Sequence, residues 1–160
     1  MREILFRAKT ILADNPSDTS SNYWIEGSLV HQTERYGDPV DVYHIVKLGN
    51  FHCDYYDSEE VWPETVGQWT GLVDKNGTKI FEGDIVKYTR VSKFDDIEDI
   101  PHLDPENVNE QIDVITYENG EFIPTPKLYY CDDYWYAYGY IDFEVIGNIH
   151  DNPELLNGGR

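Results

Sequence analysis

A mainly β fold is predicted for this 160-residue chain by three observations. Its aromatic residues, 13 Tyr, 6 Phe and 4 Trp against one Met, are side chains that fit a pleated, half-buried surface better than a helix. Short runs of alternating polarity recur along the chain, separated by Gly, Pro, Asn and Asp clusters that punctuate strands. In one stretch, Gln68–Tyr88, every local signal agrees. Gln68–Val73 reads as a strand, Asp74-Lys75-Asn76-Gly77 as a turn, Thr78–Phe81 as the returning strand, Glu82-Gly83-Asp84 as a second corner and Ile85–Thr89 as a third strand. A two-residue Asn76-Gly77 loop sets Val73 across from Ile80, and a three-residue loop bulged at Gly77 sets Leu72 there. Either register is expected to bury an apolar pair. Gly83 is expected at a corner that a Cβ would strain, with Ile85 buried.

The remaining elements follow in order. Ile4, Phe6 and Ala8 alternate with Leu5 and Arg7 as a first strand, and Asp14–Asn22 is a loop. Tyr23–His31 reads as a second strand, with Gly27 marking a bulge or a close backbone approach. Val40–Leu48, where Val42, His44 and Val46 alternate against Tyr43 and Ile45, is the third. Ser58-Glu59-Glu60 resembles a capped helix start that Pro63 limits to about one turn or a 3₁₀ piece. Phe94–Glu121 holds ten acidic side chains and no Lys or Arg, and its first part, residues 94–111, reads as an acidic insertion. Asp104-Pro105-Glu106 is suited to start a short helix there. Ile112–Tyr117 reads as a strand turning at Glu118-Asn119-Gly120 into Glu121–Ile123, where Pro124 and Pro126 stop it. The aromatic block Leu128–Tyr140 precedes a last strand, Asp142–Ile149. A final turn at Asp151–Leu156 packs Leu155 and Leu156 back, and 157–160 is a frayed tail.

Three separated blocks carry a family resemblance. PETVGQWTGLVDKNGTKIFEGDIVKY at Pro63–Tyr88, MREILFRA at Met1–Ala8 and FEVIGNIHDNPELL at Phe143–Leu156 resemble, in order and spacing, the signature, opening strand and closing motif of the YopX family. The resemblance spans nearly the whole chain. It implies a mainly β protein encoded by a phage or prophage, and it brings neither an established activity nor catalytic residues. The Glu82–Tyr88 segment, EGDIVKY, also resembles a corner of SH3-like barrels, which makes a small barrel over Gln68–Ile149 the expected architecture, by analogy alone.

Composition bounds the function. The net charge of −19, from 31 acidic and 12 basic residues, repels nucleic-acid phosphates and anionic membranes and suits a basic protein partner or simple solvation. No run approaches the roughly 20 apolar residues of a membrane span, and the charged start Met1–Thr10 has no apolar signal core. A cytoplasmic location in a bacterial host is expected, with the only two cysteines, Cys53 and Cys131, reduced and unbridged. No metal or cofactor site is expected. His52 and Cys53 are adjacent, so on a strand they point to opposite faces, and no HxxxH, HExxH or CxxC pair exists. Phosphate-cradling GxGxxG and GxxxxGK[ST] loops and a GxSxG elbow are missing as well. Asp132-Asp133, beside Tyr130, Tyr134 and Trp135, is the best placed carboxylate pair for acid–base work, but in so acidic a chain such pairs are commonplace.

What remains is surface chemistry. Tyr134, Trp135, Tyr136, Tyr138 and Tyr140 form a block whose four tyrosines alternate onto one strand face. Such a face is either a core edge with hydroxyls reaching solvent or a recognition surface. Stacking of single-stranded bases there would need a basic groove, and Lys127 alone is near. Asp95, Asp96, Glu98 and Asp99 form a second, acidic surface. The expectation is a single domain over 1–156 with lobes near 1–66 and 67–152. It is read as a small SH3-like barrel or meander beside an N-terminal β lobe, with short helical turns. The function expected is a non-catalytic module that binds a host or phage protein, compatible with a homo-oligomer. An acidic DNA mimic occupying a DNA-binding protein is the second reading, and an enzyme with an unrecognised site the third.

Overall fold

The computed structural model describes residues 3–12, 22–34, 40–47, 57–94, 109–124, 128–131 and 136–156. Of residues 34, 40, 57, 90–94, 109, 128–131 and 136–141 it describes the backbone alone. Among the described residues there are twelve strands, two 3₁₀ turns and no α-helix, and every strand pairing is antiparallel. The chain divides into two compact units, Met1–Leu72 with Phe81–Gly83, and Val73–Ile80 with Asp84–Arg160.

The first unit is built on β1 (Phe6–Lys9), β2 (Trp24–Glu34), β3 (Val40–Lys47), β4 (Asp57–Glu60) and β5 (Gly67–Val73). With β6 (Lys79–Phe81) these form a sheet in the order β4-β3-β2-β1-β5-β6. The sheet curls at one end, where Ile11 N–H donates to the Glu60 carbonyl and Trp62 N–H to the Lys9 carbonyl, each at 2.9 Å, around the Thr10–Val61 bridge. The curl encloses Ala8, Ile25, Ile45 and Val61, with Phe6, Leu29, Tyr43 and Val66 packed on them. Cross-strand partners share a face, so Ile25 beside Ala8 and Leu29 beside Ile45 all point to this core.

Gly27 sits where β2 passes from β1 to β3, since Phe6 pairs with Gly27 and Ser28 with Val46. A Cβ there would lie 2.4 Å from the Val46 carbonyl oxygen, so the expected close approach is present. Gly27→Ala is expected to cost about 2–4 kcal/mol in chemical denaturation, because the obstacle is backbone and cannot rotate away. An unchanged unfolding midpoint would show that β3 yields.

Two readings of this region need correction. Ser58-Glu59-Glu60 does not start a helix: it is β4, held in register by Val46 opposite Ser58 and His44 opposite Glu60, so ladder bonds override the capping pattern. The 3₁₀ turn lies just after it, at Pro63–Thr65, with Pro at its start. The hairpin after β5 buries no apolar pair either. Its loop is the three-residue one, with Asp74 N–H bonded to the Thr78 carbonyl and Gly77 at positive φ. Ile80 is buried, but Leu72 is 39% and Val73 53% exposed. The break is at Gly71, whose φ of 88° interrupts the alternation just before those residues.

The second unit holds β7 (Asp84–Phe94), β8 (Asn109–Val114), β9 (Thr116–Glu118), β10 (Glu121–Ile123), β11 (Leu128–Cys131) and β12 (Tyr136–Asn148). Its sheet runs β11-β12-β7-β8, with β9–β10 as a separate hairpin. The barrel expected over Gln68–Ile149 is not closed among the described residues: this sheet is open, with β11 and β8 as its edges. The predicted strand Ile112–Tyr117 breaks at Ile115, which is buried and gives its N–H to the Asp84 carbonyl. The last strand begins earlier than expected, at Tyr136. The core is Ile80, Val86, Tyr88, Ile115 and Phe143, with Phe122 and Val145 against it, and the Tyr88 and Phe143 rings stack at 5.1 Å. The hairpin turn at Asn119-Gly120 is as predicted, with both residues at positive φ. At the chain's end the 3₁₀ turn Pro153–Leu156 brings Leu155 against Gly147, while Leu156 is exposed rather than packed. The helix suggested at Asp104-Pro105-Glu106 lies outside the described residues.

Candidate functional site

Two of the surfaces singled out in the sequence are described in part or not at all. Tyr136, Tyr138 and Tyr140 lie on β12, opposite Phe94, Ser92 and Arg90 of β7. Tyr136 and Tyr138 are also opposite Cys131 and Tyr129 of β11. Tyr134, Trp135, Asp132 and Asp133 lie outside the described residues, as do Asp95, Asp96, Glu98, Asp99, His52 and Cys53.

A different surface stands out in the first unit. On the sheet face opposite the core, Val30 of β2 pairs with His44 of β3, Ser28 with Val46, and Val46 with Ser58 of β4. Val30, Gln32, His44, Val46 and Ser58 line an open depression of about 370 Å³. Val30 and Val46 give it its aliphatic surface, and Val30 remains 42% exposed. Beside it Val42, on the same face, is buried. The signal for this face was the alternation of Val42, His44 and Val46 against Tyr43 and Ile45. Both sides of β3 are apolar, which is the pattern of a strand covered on both faces.

Gln32, His44 and Ser58 supply the polar groups of the depression. His44 Nδ1 is buried with no hydrogen-bond partner among the described residues. Glu60, directly across from His44, is exposed, and among the described residues no ion pair involves it. Further along the same face, towards β1, Arg7 lies between two rings, its guanidinium 4.5 Å from the Trp24 centroid and 4.6 Å from that of Phe81. The Lys9 ammonium lies over the same Trp24 ring, 5.6 Å from its centroid.

The opposite face carries a separate polar cluster at the end of β2 and β3. Asp41 accepts from the Thr33 hydroxyl at 2.8 Å and lies 3.2 Å from His31 Nε2, while His31 stacks on Tyr43. The Thr33 hydroxyl and then His31 hold the Asp41 carboxyl below its ordinary value. This exposed pair is a surface feature with little energetic weight. Among the described residues no group of three or more His, Cys, Asp or Glu is placed to hold a metal ion. No helix among them is long and apolar enough to cross a membrane.

Comparison with curated proteins gives no match. Among solved structures, the chain is similar to a crystal structure of a protein from Enterococcus faecalis, at 26% sequence identity over 98% of this chain and 99% of that one, with a TM-score of 0.42. The family described as YopX protein matches residues 17–157, and the chain belongs to the YopX family.

Proposed function

We propose that this YopX-family chain is a non-catalytic protein-binding module, encoded by a phage or prophage and acting in the host cytoplasm on a host or phage protein. The observation that carries this reading is the open, aliphatic depression on the β2–β3–β4 face. It is too open to bury a small ligand, yet it leaves the apolar side chain of Val30 in water next to the half-buried Val46. Protein side chains are the natural occupants of such a surface. The tyrosines at Tyr134–Tyr140 remain a second proposed contact.

The mimic reading draws on the ten acidic side chains of Phe94–Glu121 and the net charge of −19. Affinity capture from host lysate, in low and high salt, distinguishes the two. The bait is compared with three variants: Val30→Lys, a triple Ser replacement of Tyr134, Tyr136 and Tyr138, and a fourfold Asn/Gln replacement of Asp95, Asp96, Glu98 and Asp99. A partner lost on Val30→Lys or on the tyrosine replacement, and kept by the neutralised variant, is the expected result. Loss in the neutralised variant alone, with steep salt dependence, would replace this reading with mimicry. A wild-type bait that retains no protein at low salt would reject the module altogether.

A further inference from the structure

We propose that the β2–β3–β4 depression takes one aliphatic side chain from a basic, extended segment of the partner, with a lysine or arginine two residues away from it on the β4 side. The inference rests on the protein-binding reading and specifies its partner chemistry. The depression of about 370 Å³ has room for a leucine-sized side chain, and its lining of Val30 and Val46 with the short polar groups of Gln32 and Ser58 gives that side chain an apolar seat with a polar rim.

The charge of the partner follows from the surroundings. Glu60 stands exposed at the rim, opposite His44, and among the described residues no cation neutralises it. The chain as a whole carries −19, so a basic segment is drawn in and an acidic one repelled. Spacing follows from strand geometry. In an extended segment, residues two apart point the same way about 7 Å from each other. Antiparallel strands lie about 4.8 Å apart, so a cation two residues from the buried side chain lies near β4 and Glu60 when that side chain sits between β2 and β3.

The test uses the full chain and three synthetic peptides. The first has one leucine flanked two residues away on each side by lysine, with serine elsewhere. The second replaces the leucine by serine, and the third replaces both lysines by glutamate. Binding is read by fluorescence anisotropy and by the methyl resonances of Val30 and Val46 with the ring resonances of His44. The first peptide should bind and move these resonances. Val30→Lys and Glu60→Lys, both at exposed positions and each checked for an unchanged melting temperature, should weaken it at least about tenfold. The two control peptides should bind at least about tenfold more weakly than the first.

Equal binding of the serine control would overturn the apolar seat, and equal binding of the glutamate control would overturn the charge. Binding insensitive to both variants, or no binding of the first peptide, would overturn the site. A wild-type dimer that Val30→Lys dissolves in sedimentation would assign the face to a second copy of this chain instead. None of these failures touches the broader reading, which falls when wild-type bait captures no protein or when the neutralised variant alone loses its partner.

Discussion

Ile85→Asp is expected to unfold the second unit, at a cost of about 5 kcal/mol or more. Ile85 is fully buried, and it lies on β7, the strand flanked by both β12 and β8, with Gly147 on one side and Val114 on the other. An aspartate there loses the burial of a large aliphatic side chain and gains a carboxylate with no cation opposite. Either it takes up a proton at neutral pH or the sheet opens to water. Typical domains have a net stability of about 5–15 kcal/mol, so one such change is comparable with the whole. Ile85→Val, which removes one methylene, should cost only about 1 kcal/mol and serves as the control. Two residues earlier, Gly83 is buried at φ 82°, a conformation that a β-branched side chain resists. Gly83→Val should therefore cost about 3 kcal/mol through strain alone. Melting temperatures unchanged in both Ile85→Asp and Gly83→Val would remove the meander from its central place in the fold.

These positions were legible because local and non-local demands coincide at them. Glu82-Gly83-Asp84 needed a left-handed residue to turn, and Ile85 then had to point inward. Gly27 was legible for the same reason, as a missing side chain in an otherwise bulky strand. Ser58-Glu59-Glu60 was not. Its local preference is for a helix start, and only the pairing with Val46 and His44, distant in sequence from the cap motif, makes it β4. The exposure of Leu72 and Val73 was not legible either, because positive φ at Gly71 interrupts the alternation just before them. The openness of the second unit's sheet was not legible either. Turns fix which strands are neighbours, while closure depends on whether the outermost strands meet, and β11 and β8 do not. The depression was half legible. The apolar alternation on both faces of β3 was plain, but which face would be left open depends on β4, the element whose type was misread.

Asp74→Ala is expected to cost about 2–4 kcal/mol, although Asp74 belongs to a loop and lies outside every apolar cluster. Its side chain is 5% exposed and accepts three backbone hydrogen bonds. Oδ1 takes the N–H of Asn76 at 2.8 Å and of Thr78 at 2.9 Å, which sets the loop, and Oδ2 takes the N–H of Val145 at 3.0 Å, on β12. That last donor is available because β12 is irregular there, with register shifts between Ile141 and Glu144 and between Val145 and Gly147. Lys75 adds a backbone bond to the Phe143 carbonyl and an ion pair to Glu144, so the loop is pinned to β12 from both sides of Asp74. Burial alone would raise the Asp74 pKa, but the N–H groups of Val145, Thr78 and Asn76 outweigh it and hold the carboxyl below its ordinary value of 3.8.

The sign of the pH dependence follows. A carboxyl whose folded pKa is depressed contributes stability that is fully present above its unfolded value, and this is lost as pH falls through the folded one. Asp74 should thus destabilise the protein progressively below about pH 4. Glu144, lowered by its hydrogen bond and charge pairing with Lys75, titrates in the same window, so the wild-type curve alone does not isolate Asp74. Asp74→Asn does. It keeps one acceptor oxygen and should cost about half as much as Asp74→Ala at pH 7, and its difference from wild type should shrink as the pH is lowered from 5 to 2. Urea denaturation across that range measures this difference directly. A gap between wild type and Asp74→Asn that stays constant with pH would mean that the carboxylate's charge is not what holds the loop to β12.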